Sequence, residues 1–432
     1  MMRGLPALIC TLLLAQSALA APGNPDLGVK IGEKSRLHLG ADLGAGFDTN
    51  PNYRPMSADF VGDLSLALRP RMQLDIPGSL LNLDAGATLN YQEYFGVMNA
   101  ATRSLRQLDG DAHLNVEINR EGMFGFALSD RLTRALDPGV AALGSRLART
   151  RNDAAAGVEF RPGGGLLTFS LKYMFGLEIF DRHASPSLLD DLGLYVSNPQ
   201  IANPEYFDNM EHRLILRSEW RFLPKTGAFI NIFGGAFNYL HPSSSNVANY
   251  PVGIEIGAMG AVTSKISGVA KLGYANPLII ANGAVTSAAF IGVIGQLEAR
   301  YQITEMNIVT VGARRQLRPV YMYTFFTDNR VYAETSHALF ERFMLKGNAA
   351  YALLAFDQPT GDQASVTTLG GTSRMDHVIE GNLSASYYIF DWLSVGISDM
   401  LQFRLTNAIA TDSSTNLSFL KNLTLISVSA FY

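Results

Sequence analysis

The chain has almost no cysteine and no long run of apolar residues. Its only cysteine among 432 residues is Cys10, so the rest of the chain has no disulfide framework, thiolate metal site or cysteine nucleophile. After the first twenty residues, no stretch reaches the ~18 consecutive apolar residues typical of a membrane-spanning helix. Helical membrane spans are therefore excluded, although hydrophobic residues make up 47% of the chain.

An excess of charge of one sign is also missing. The 34 lysines and arginines nearly balance the 38 aspartates and glutamates, which leaves a net charge of −4. This mild value argues against nucleic acid as a partner. No histidine and carboxylate cluster has metal-ligand spacing, and no glycine-rich loop precedes a helix. The sequence therefore predicts no metal site and no cofactor.

The first twenty residues have the three parts of an export signal. Arg3 supplies a positive charge, Leu5–Leu14 is apolar, and Ala18-Leu19-Ala20 forms a small-x-small cleavage site. The apolar run is too short to anchor the chain in a bilayer. We expect a signal peptide over residues 1–20, followed by a short periplasmic segment over residues 21–35.

A period of two dominates the mature chain. From Phe60 to Ile76 the even positions are mostly apolar, while the odd positions carry residues such as Asp63, Arg69 and Arg71. An amphipathic helix would repeat near 3.6 residues, and soluble strands are usually shorter. The alternation recurs in Asp111–Asn119, Phe169–Ile179, Arg213–Phe222 and Asp376–Ile389. Because the polar face carries many charges, we expect it to meet water and the apolar face to meet lipid.

Short and long connections interleave along the chain. The short ones are Ile76–Ser79, Arg120–Gly122, Arg161–Gly164, Leu223–Thr226, Ser264–Ser267, Thr304–Glu305, Glu341–Arg342 and Asp391–Trp392. The long ones are Thr49–Ala58, Phe95–Ser104, Leu136–Leu147, Asp181–Met210, His241–Tyr250, Asn276–Ala288, Pro319–Phe325, Asp357–Ser373 and Asn407–Thr415. This pattern predicts an all-β protein over residues 36–432: a closed antiparallel transmembrane β-barrel of about eighteen strands, with sixteen possible. Its short turns would be periplasmic and its long loops extracellular.

The last strand and the short N-terminal segment refine this prediction. Ile426, Val428 and Ala430 alternate with serines before a terminal Phe431-Tyr432. That ending looks like the signal read by the outer-membrane barrel assembly machinery, which we expect as a partner alongside outer-membrane lipid and lipopolysaccharide. The segment over residues 21–35 is too short for a plug, so the barrel's own side chains and loops must fill its lumen.

Catalysis has weak support. Outer-membrane phospholipases use a His-x-Ser pair on a strand, and this chain has His183-Ala184-Ser185 and His241-Pro242-Ser243. Both pairs lie in proline-containing loop sequence, so no catalytic residue is predicted and the protein is not expected to be an enzyme.

The predicted inner face is the candidate transport path. Its members are Arg69, Arg71, Arg131, Arg151, Arg161, Arg213, Arg217, Arg221, Asp63, Asp75, Asp84, Asp111, Glu117, Asp153, Glu159, Glu178, Glu219, Glu334 and Glu380. In one interpretation these groups pair across strands and fill a wet lumen. In the other they bind a polar solute through bidentate hydrogen bonds.

The longest connection is a candidate constriction. Loops beyond ~12–15 residues are usually functional or disordered, and this loop has the proline-started sequence of a helical turn after Ser185. Its apolar residues need a place to pack, so we expect it to fold over or into the barrel mouth, as an outer lid or a constriction. The residues concerned are Leu188, Leu189, Tyr195, Tyr206 and Phe207.

One stretch carries a resemblance. Gly40–Pro51 reads Gly-Ala-Asp-Leu-Gly-Ala-Gly-Phe-Asp-Thr-Asn-Pro and resembles the opening of the β-barrel porin-2 type of outer-membrane protein. The layout of the chain also resembles plugless eighteen-stranded polysaccharide-export porins. It departs from the poly-N-acetylglucosamine exporter by lacking a helical-repeat periplasmic part. The resemblance implies a passive conduit for exopolysaccharide or capsular polysaccharide, served by a separate periplasmic polysaccharide export protein.

Two alternatives stay open beside export. A diffusion porin for the uptake of small polar solutes would need a barrel of the same size with the same charged lumen as the export conduit. An enzyme or adhesin would act through the outer loops, where the sequence offers no defensible site.

Overall fold

The fold is a sheet closed on itself. The structure, a computed structural model, describes residues 27–57, 62–98, 100–136, 148–181, 204–242, 246–281, 284–286, 292–320, 323–340, 342–357, 366–368, 373–410 and 415–432. The export signal and Leu188, Leu189 and Tyr195 lie outside these residues. Within them, no helix has the length and apolar character needed to cross a membrane.

Eighteen long strands form the wall, which confirms the predicted fold class. In chain order they are β1 Arg36–Asp48, β2 Asp63–Ile76, β3 Leu81–Tyr94, β4 Arg106–Ile118, β5 Phe124–Ala135, β6 Arg149–Phe160, β7 Leu167–Phe180, β8 Asn209–Leu223, β9 Thr226–Tyr239, β10 Val252–Ala261, β11 Ile266–Asn276, β12 Val293–Gln302, β13 Ile308–Val320, β14 Tyr323–Leu339, β15 Phe343–Phe356, β16 Met375–Phe390, β17 Leu393–Thr406 and β18 Phe419–Phe431. Each strand pairs antiparallel with the next.

The barrel closes between its first and last strands. β1 pairs antiparallel with β18, so that Gly40 lies opposite Phe431 and Asp48 lies opposite Leu423. A Cβ atom at Gly46 would collide with the carbonyl oxygen of Thr424. Glycine therefore permits the close approach of the two backbones at this seam.

The connections alternate in length as the sequence predicts, with one error. All eight short turns fall between paired strands, and β1 begins and β18 ends at the turn end of the barrel. Pro319–Phe325, however, is not a long loop, because β13 continues to Val320 and β14 starts at Tyr323. Apolar side chains of these two strands pack inside the barrel, and this packing extends the strands through the turn-like sequence.

The outer surface is that of a membrane protein. Residues on the predicted lipid face are exposed, including Leu66 at 41% and Leu128 at 52%. Aromatic rings cluster near the turn end, where Phe124 stacks on Phe160 at 5.0 Å and Phe390 on Trp392 at 5.7 Å. An apolar belt with aromatic rings at its edge is typical of a barrel surface in a bilayer, with the rings at the interface. The protein is therefore a multi-pass barrel of the cell outer membrane, and its turn end faces the periplasm.

Candidate channel interior

The charges on β2 point into the barrel. Asp63, Arg69, Arg71 and Asp75 alternate with the exposed leucines of the same strand. Arg69 donates to Asn90 at 2.7 Å, and Arg71 lies 3.4 Å from Asp42. These four predicted residues therefore share one wall.

Most other predicted residues form pairs along the interior. The pairs are Arg131 with Asp111 at 2.6 Å, Arg151 with Asp153 at 2.7 Å and Glu178 at 3.9 Å, Arg213 with Glu211 at 3.0 Å, Arg217 and Arg221 with Glu219 at 3.1 Å, His113 with Asp84 at 3.0 Å, Arg330 with Glu380 at 2.6 Å, and Arg161 with Glu159. Such pairing is what the lumen-filling interpretation expects. Arg161, Arg221 and Glu117 lie at the turn rim, because Arg161 follows β6 and the other two are about half exposed.

Asp63 holds a loop. Its carboxylate accepts hydrogen bonds from the backbone N–H groups of Gly96, Val97 and Met98 at 2.5, 3.1 and 3.2 Å, and from the Thr102 hydroxyl. The side chain is fully buried. Asp63 therefore fixes the connection between β3 and β4, which the alternation pattern alone did not indicate.

The two signs of charge dominate different arcs of the inner wall. On β1–β4 the inward charges are Asp42, Asp48, Asp63, Asp75, Asp84, Asp109, Asp111 and Glu117 against Arg36, Arg69 and Arg71. On β13–β18 and just before β16 they are Arg314, Arg318, Arg330, Lys346, Arg374, Arg404 and Lys421 against Asp328, Glu334, Asp376 and Glu380. Neighbouring arcs of opposite net charge set up a lateral electric field across the space that the wall encloses.

A buried cluster near the outer mouth was missed by the sequence. Asp376 accepts from Arg374 at 2.7 Å and from Arg404 at 2.5 Å, and it also binds the Thr406 hydroxyl. Arg374 lies over the ring of Phe356. Asp376 and Arg404 belong to alternating strands, so their inward direction could be predicted, but Arg374 follows a predicted loop.

A second missed group spans β13, β14 and β16. Asp328 lies 3.6 Å from Arg314 and 3.4 Å from Arg330, which also reaches Glu380. Arg318 lies near the carboxylate of Asp328 and near three guanidinium groups, those of Arg314 and Arg330 and that of Arg151 on β6. Because six strands separate β6 from β13 in the sheet, the proximity of Arg151 to Arg318 indicates that two distant parts of the wall approach each other inside the barrel. The sequence of β13 alternates only weakly between apolar and polar residues, so the inward direction of these arginines could not be predicted from it.

Part of the interior is apolar, which corrects the expectation of a polar lumen. Val320, Tyr323 and Phe326 of β13 and β14 form one buried cluster with inward residues of β15. The β15 members are Ala352, Leu354 and Phe356. The sequence of β15 carries apolar residues on both faces, and that was the available signal.

The end of the longest connection covers this patch. The turn Pro204–Phe207 precedes β8, and Phe207 belongs to the buried cluster at 5% exposure, with Tyr206 packed against it. Phe207 comes just before β8, and four strands, β9–β12, separate β8 from β13 in the sheet, so this contact joins parts of the wall that are not neighbours. Both residues were predicted for a constriction.

Hydrogen bonds hold this segment on the interior side. The Asp208 carboxylate accepts from the backbone of Phe180 at 2.7 Å, and the Asp208 carbonyl accepts from Leu240 at 2.9 Å. Asn246 donates to the Tyr206 carbonyl at 3.1 Å. The segment is therefore tied to the flanking strands as well as to the facing wall.

Neither candidate His-x-Ser pair lies wholly within the described residues. His183 and Ser243 lie outside the described residues, and His241 faces Asp208 at 3.7 Å. In the part of the chain that the structure covers, no group of three His, Cys, Asp or Glu residues is placed to hold a metal ion.

No protein-family model matches the chain. No curated protein matches its sequence. Among solved structures, the chain is similar to OpdK of Pseudomonas aeruginosa, with 10% identity, a TM-score of 0.42 and coverage of 92% of this chain and 99% of that one. The chain is also similar to OccAB4 of Acinetobacter baumannii, with 9% identity, a TM-score of 0.42 and coverage of 92% of this chain and 98% of that one. For the siderophore receptor PirA of Pseudomonas aeruginosa the identity is 9% and the TM-score 0.41, with coverage of 92% of this chain and 80% of that one. Similarities this weak do not identify a family.

Proposed function

We propose that this protein is a passive channel that admits small polar solutes across the outer membrane. The observation that carries the proposal is the packing of Phe207 and Tyr206 against the apolar patch on β13–β15. An eighteen-stranded barrel is wide enough for an aqueous path, and a segment lying across part of the mouth narrows that path. A narrowed path suits small solutes better than a polymer chain.

The charged lining supports the same function. Carboxylates dominate the β1–β4 arc and basic groups the β13–β18 arc, so a solute in the lumen meets a net negative arc and, next to it across the β1–β18 seam, a net positive arc. A solute that carries both charges, or a strong dipole, would be oriented in this field. The many neutralised pairs keep the lumen hydrated without strong preference for one ion.

Polysaccharide export gains no support from these features. A sugar polymer would need a continuous open path with groups that bind hydroxyls along it, and the segment at the mouth stands against this. A periplasmic polysaccharide export protein is not required by the proposed function.

Liposome swelling tests the proposal. Purified protein reconstituted into vesicles should admit amino acids and monosaccharides quickly, and the rate should fall steeply towards tetrasaccharides. Vesicles without protein give the background. Equal rates for monosaccharides and long oligosaccharides would contradict the narrowed path, and no permeation of any solute would contradict the channel.

A further inference from the structure

Two histidines lie on the lipid-facing surface, each in contact with a tyrosine. His212 on β8 and His377 on β16 alternate along their strands with inward charges and share the outward face with exposed apolar side chains. The Tyr173 hydroxyl lies 2.7 Å from Nδ1 of His212. The Tyr351 hydroxyl lies 2.7 Å from Nδ1 of His377. In both pairs the ring centroids are 6.1 Å apart, so the two contacts have one geometry.

The two pairs repeat one piece of sequence and one register. Met210–His212 reads Met-Glu-His near the loop end of β8, and Met375–His377 reads Met-Asp-His at the loop end of β16. In each case the histidine lies two residues on the loop side of the residue that faces the tyrosine across the strands. β8 and β16 are eight strands apart among the eighteen of the wall, roughly 160° around the barrel. The same pair therefore stands on nearly opposite sides of the barrel.

Both histidines lie at the outer edge of the apolar band. On the outward face of β8, ten residues separate His212 from the exposed Phe222 near the turn end. On β16, ten residues separate His377 from the exposed Tyr387. Ten residues of a strand that rises ~3.4 Å per residue and tilts by ~40° span about 25 Å of membrane, which is the height of the apolar band of such barrels. The histidines therefore lie where the hydrocarbon of the outer leaflet meets its head groups.

Each imidazole keeps one nitrogen for a partner outside the chain. When the tyrosine hydroxyl donates to Nδ1, a neutral imidazole carries its proton on Nε2. Among the described residues, neither Nε2 atom has a hydrogen-bond partner. An N–H group at the edge of hydrocarbon is costly without an acceptor. The acceptors at this depth are the oxygens of lipid head groups, and ionised phosphate oxygens accept the strongest hydrogen bonds among them.

A recess lies beside His377 on the outer surface. It encloses about 640 Å³. The apolar side chains of Met56, Met375 and Leu405 line it, together with polar groups of the loop side such as the Asn407 amide. Apolar walls with a few polar groups at one end suit a molecule that has an acyl chain and a polar head group.

We propose that the two Tyr–His pairs are head-group sites for lipopolysaccharide, in which Nε2 of each histidine donates to a phosphate oxygen of lipid A. The ligand is lipopolysaccharide because both sites face the outer leaflet of an outer membrane, and lipid A carries its phosphates on the sugars from which its acyl chains extend. In the recess beside His377, an acyl chain lies along Met375 and Leu405. Two such sites on nearly opposite sides of the wall hold the barrel level in the membrane.

Native mass spectrometry of the purified protein, refolded in detergent free of lipopolysaccharide, tests the proposal with bis-phosphorylated lipid A as the probe. The unaltered protein should bind two molecules. His212→Phe and His377→Phe each remove one N–H donor and keep a ring, so each should weaken one binding step about tenfold or more, and the double variant should weaken both. The control is His337→Phe, because His337 lies on the outward face near the turn end of β14, with Nε2 2.7 Å from the Thr335 hydroxyl. That change should leave lipid A binding unaltered.

Two further measurements separate phosphate recognition from general lipid contact. Lipid A stripped of its phosphates, and phosphatidylglycerol, should each bind the unaltered protein no better than lipid A binds the double variant. In ¹⁵N-histidine NMR of the unaltered protein, which needs no variant to fold, lipid A should move the Nε2 signals of two histidines.

Four results would each overturn the proposal: equal lipid A binding by the unaltered protein and the double variant, tight binding of phosphate-free lipid A, histidine-dependent binding of phosphatidylglycerol in place of lipid A, or unmoved histidine signals. Solute permeation through the barrel would be unaffected by any of them, so the proposed channel function stands or fails separately.

Discussion

The guanidinium group of Arg374 lies 3.9 Å from the centre of the Phe356 ring and donates at 2.7 Å to the carboxylate of Asp376. The contact joins the buried charge cluster to the apolar patch beneath Phe207. A cation that is desolvated over an aromatic ring gains about 2 kcal/mol or more. The outer mouth is thus held by charge and by packing in one connected unit.

Removing the carboxylate of this unit should destabilise the barrel. Asp376→Asn removes the carboxylate that lies between the buried guanidinium groups of Arg374 and Arg404, and breaking a buried pair costs about 3–5 kcal/mol. Urea unfolding of the refolded protein in vesicles measures the decrease in the free energy of unfolding. The matched control is Glu93→Gln, which removes a mostly exposed pair with Arg106 and should cost about 0–1 kcal/mol. Equal losses would show that the Asp376 cluster is hydrated and not structural.

Removing the Phe207 ring from the segment Pro204–Phe207 should widen the channel. Phe207→Ala removes a ring from the buried cluster on β13–β15, a change that costs about 3–5 kcal/mol of packing in a well-filled core. The freed segment should then yield a larger single-channel conductance in planar bilayers. Phe340→Ala is the control, because that ring is 92% exposed in a turn. Unchanged conductance in a correctly folded Phe207→Ala barrel would make the segment an outer lid.

The two faces of a strand should respond differently to a charge. Leu66→Arg places a cation on the lipid face and should cost about 2–4 kcal/mol. Ser427→Arg places it on the interior face of β18, opposite Gly44, and should cost much less. Ala67 is unsuited as the interior control, since it is only 2% exposed. Similar losses of folding free energy at Leu66 and Ser427 would mean that the register is wrong.

Neutralising single lumen charges should move ion selectivity in opposite directions. Lys346 and Glu334 lie on the inner face of β15 and β14, and in the part of the chain the structure covers neither forms an ion pair. Lys346→Gln should shift the reversal potential in a salt gradient towards cations, because a positive charge leaves the lumen. Glu334→Gln should shift it towards anions. Shifts of the same sign, or none, would place these groups away from the path of the ions.

The fold followed from two properties of the sequence, and the detailed contacts of the interior did not. Period-two alternation specifies which face of Phe60–Ile76 meets lipid, and interleaved connection lengths specify the number of strands. Alternation fails where both faces are apolar, as at Leu354 and Phe356, because it cannot tell lipid from an internal cluster. It also fails at Pro319–Phe325, where tertiary packing overrides turn-like residues.

Pairing across the lumen is the other part that the sequence leaves open. The proximity of Arg151 to Arg318 joins two strands separated by six others, and no local pattern in the sequence encodes it. The inward direction of Asp63 could be predicted, but its four hydrogen bonds to a loop depend on where the chain returns from β3.

Polymer exclusion in planar bilayers tests the central claim most directly. Uncharged poly(ethylene glycol) of graded size is added on the loop side while single-channel conductance is recorded. The account predicts that only the smallest polymers enter and lower the conductance, and that the threshold rises in Phe207→Ala. Entry of large flexible polymers into the unaltered channel would contradict a narrowed mouth and would favour a conduit for polymer chains.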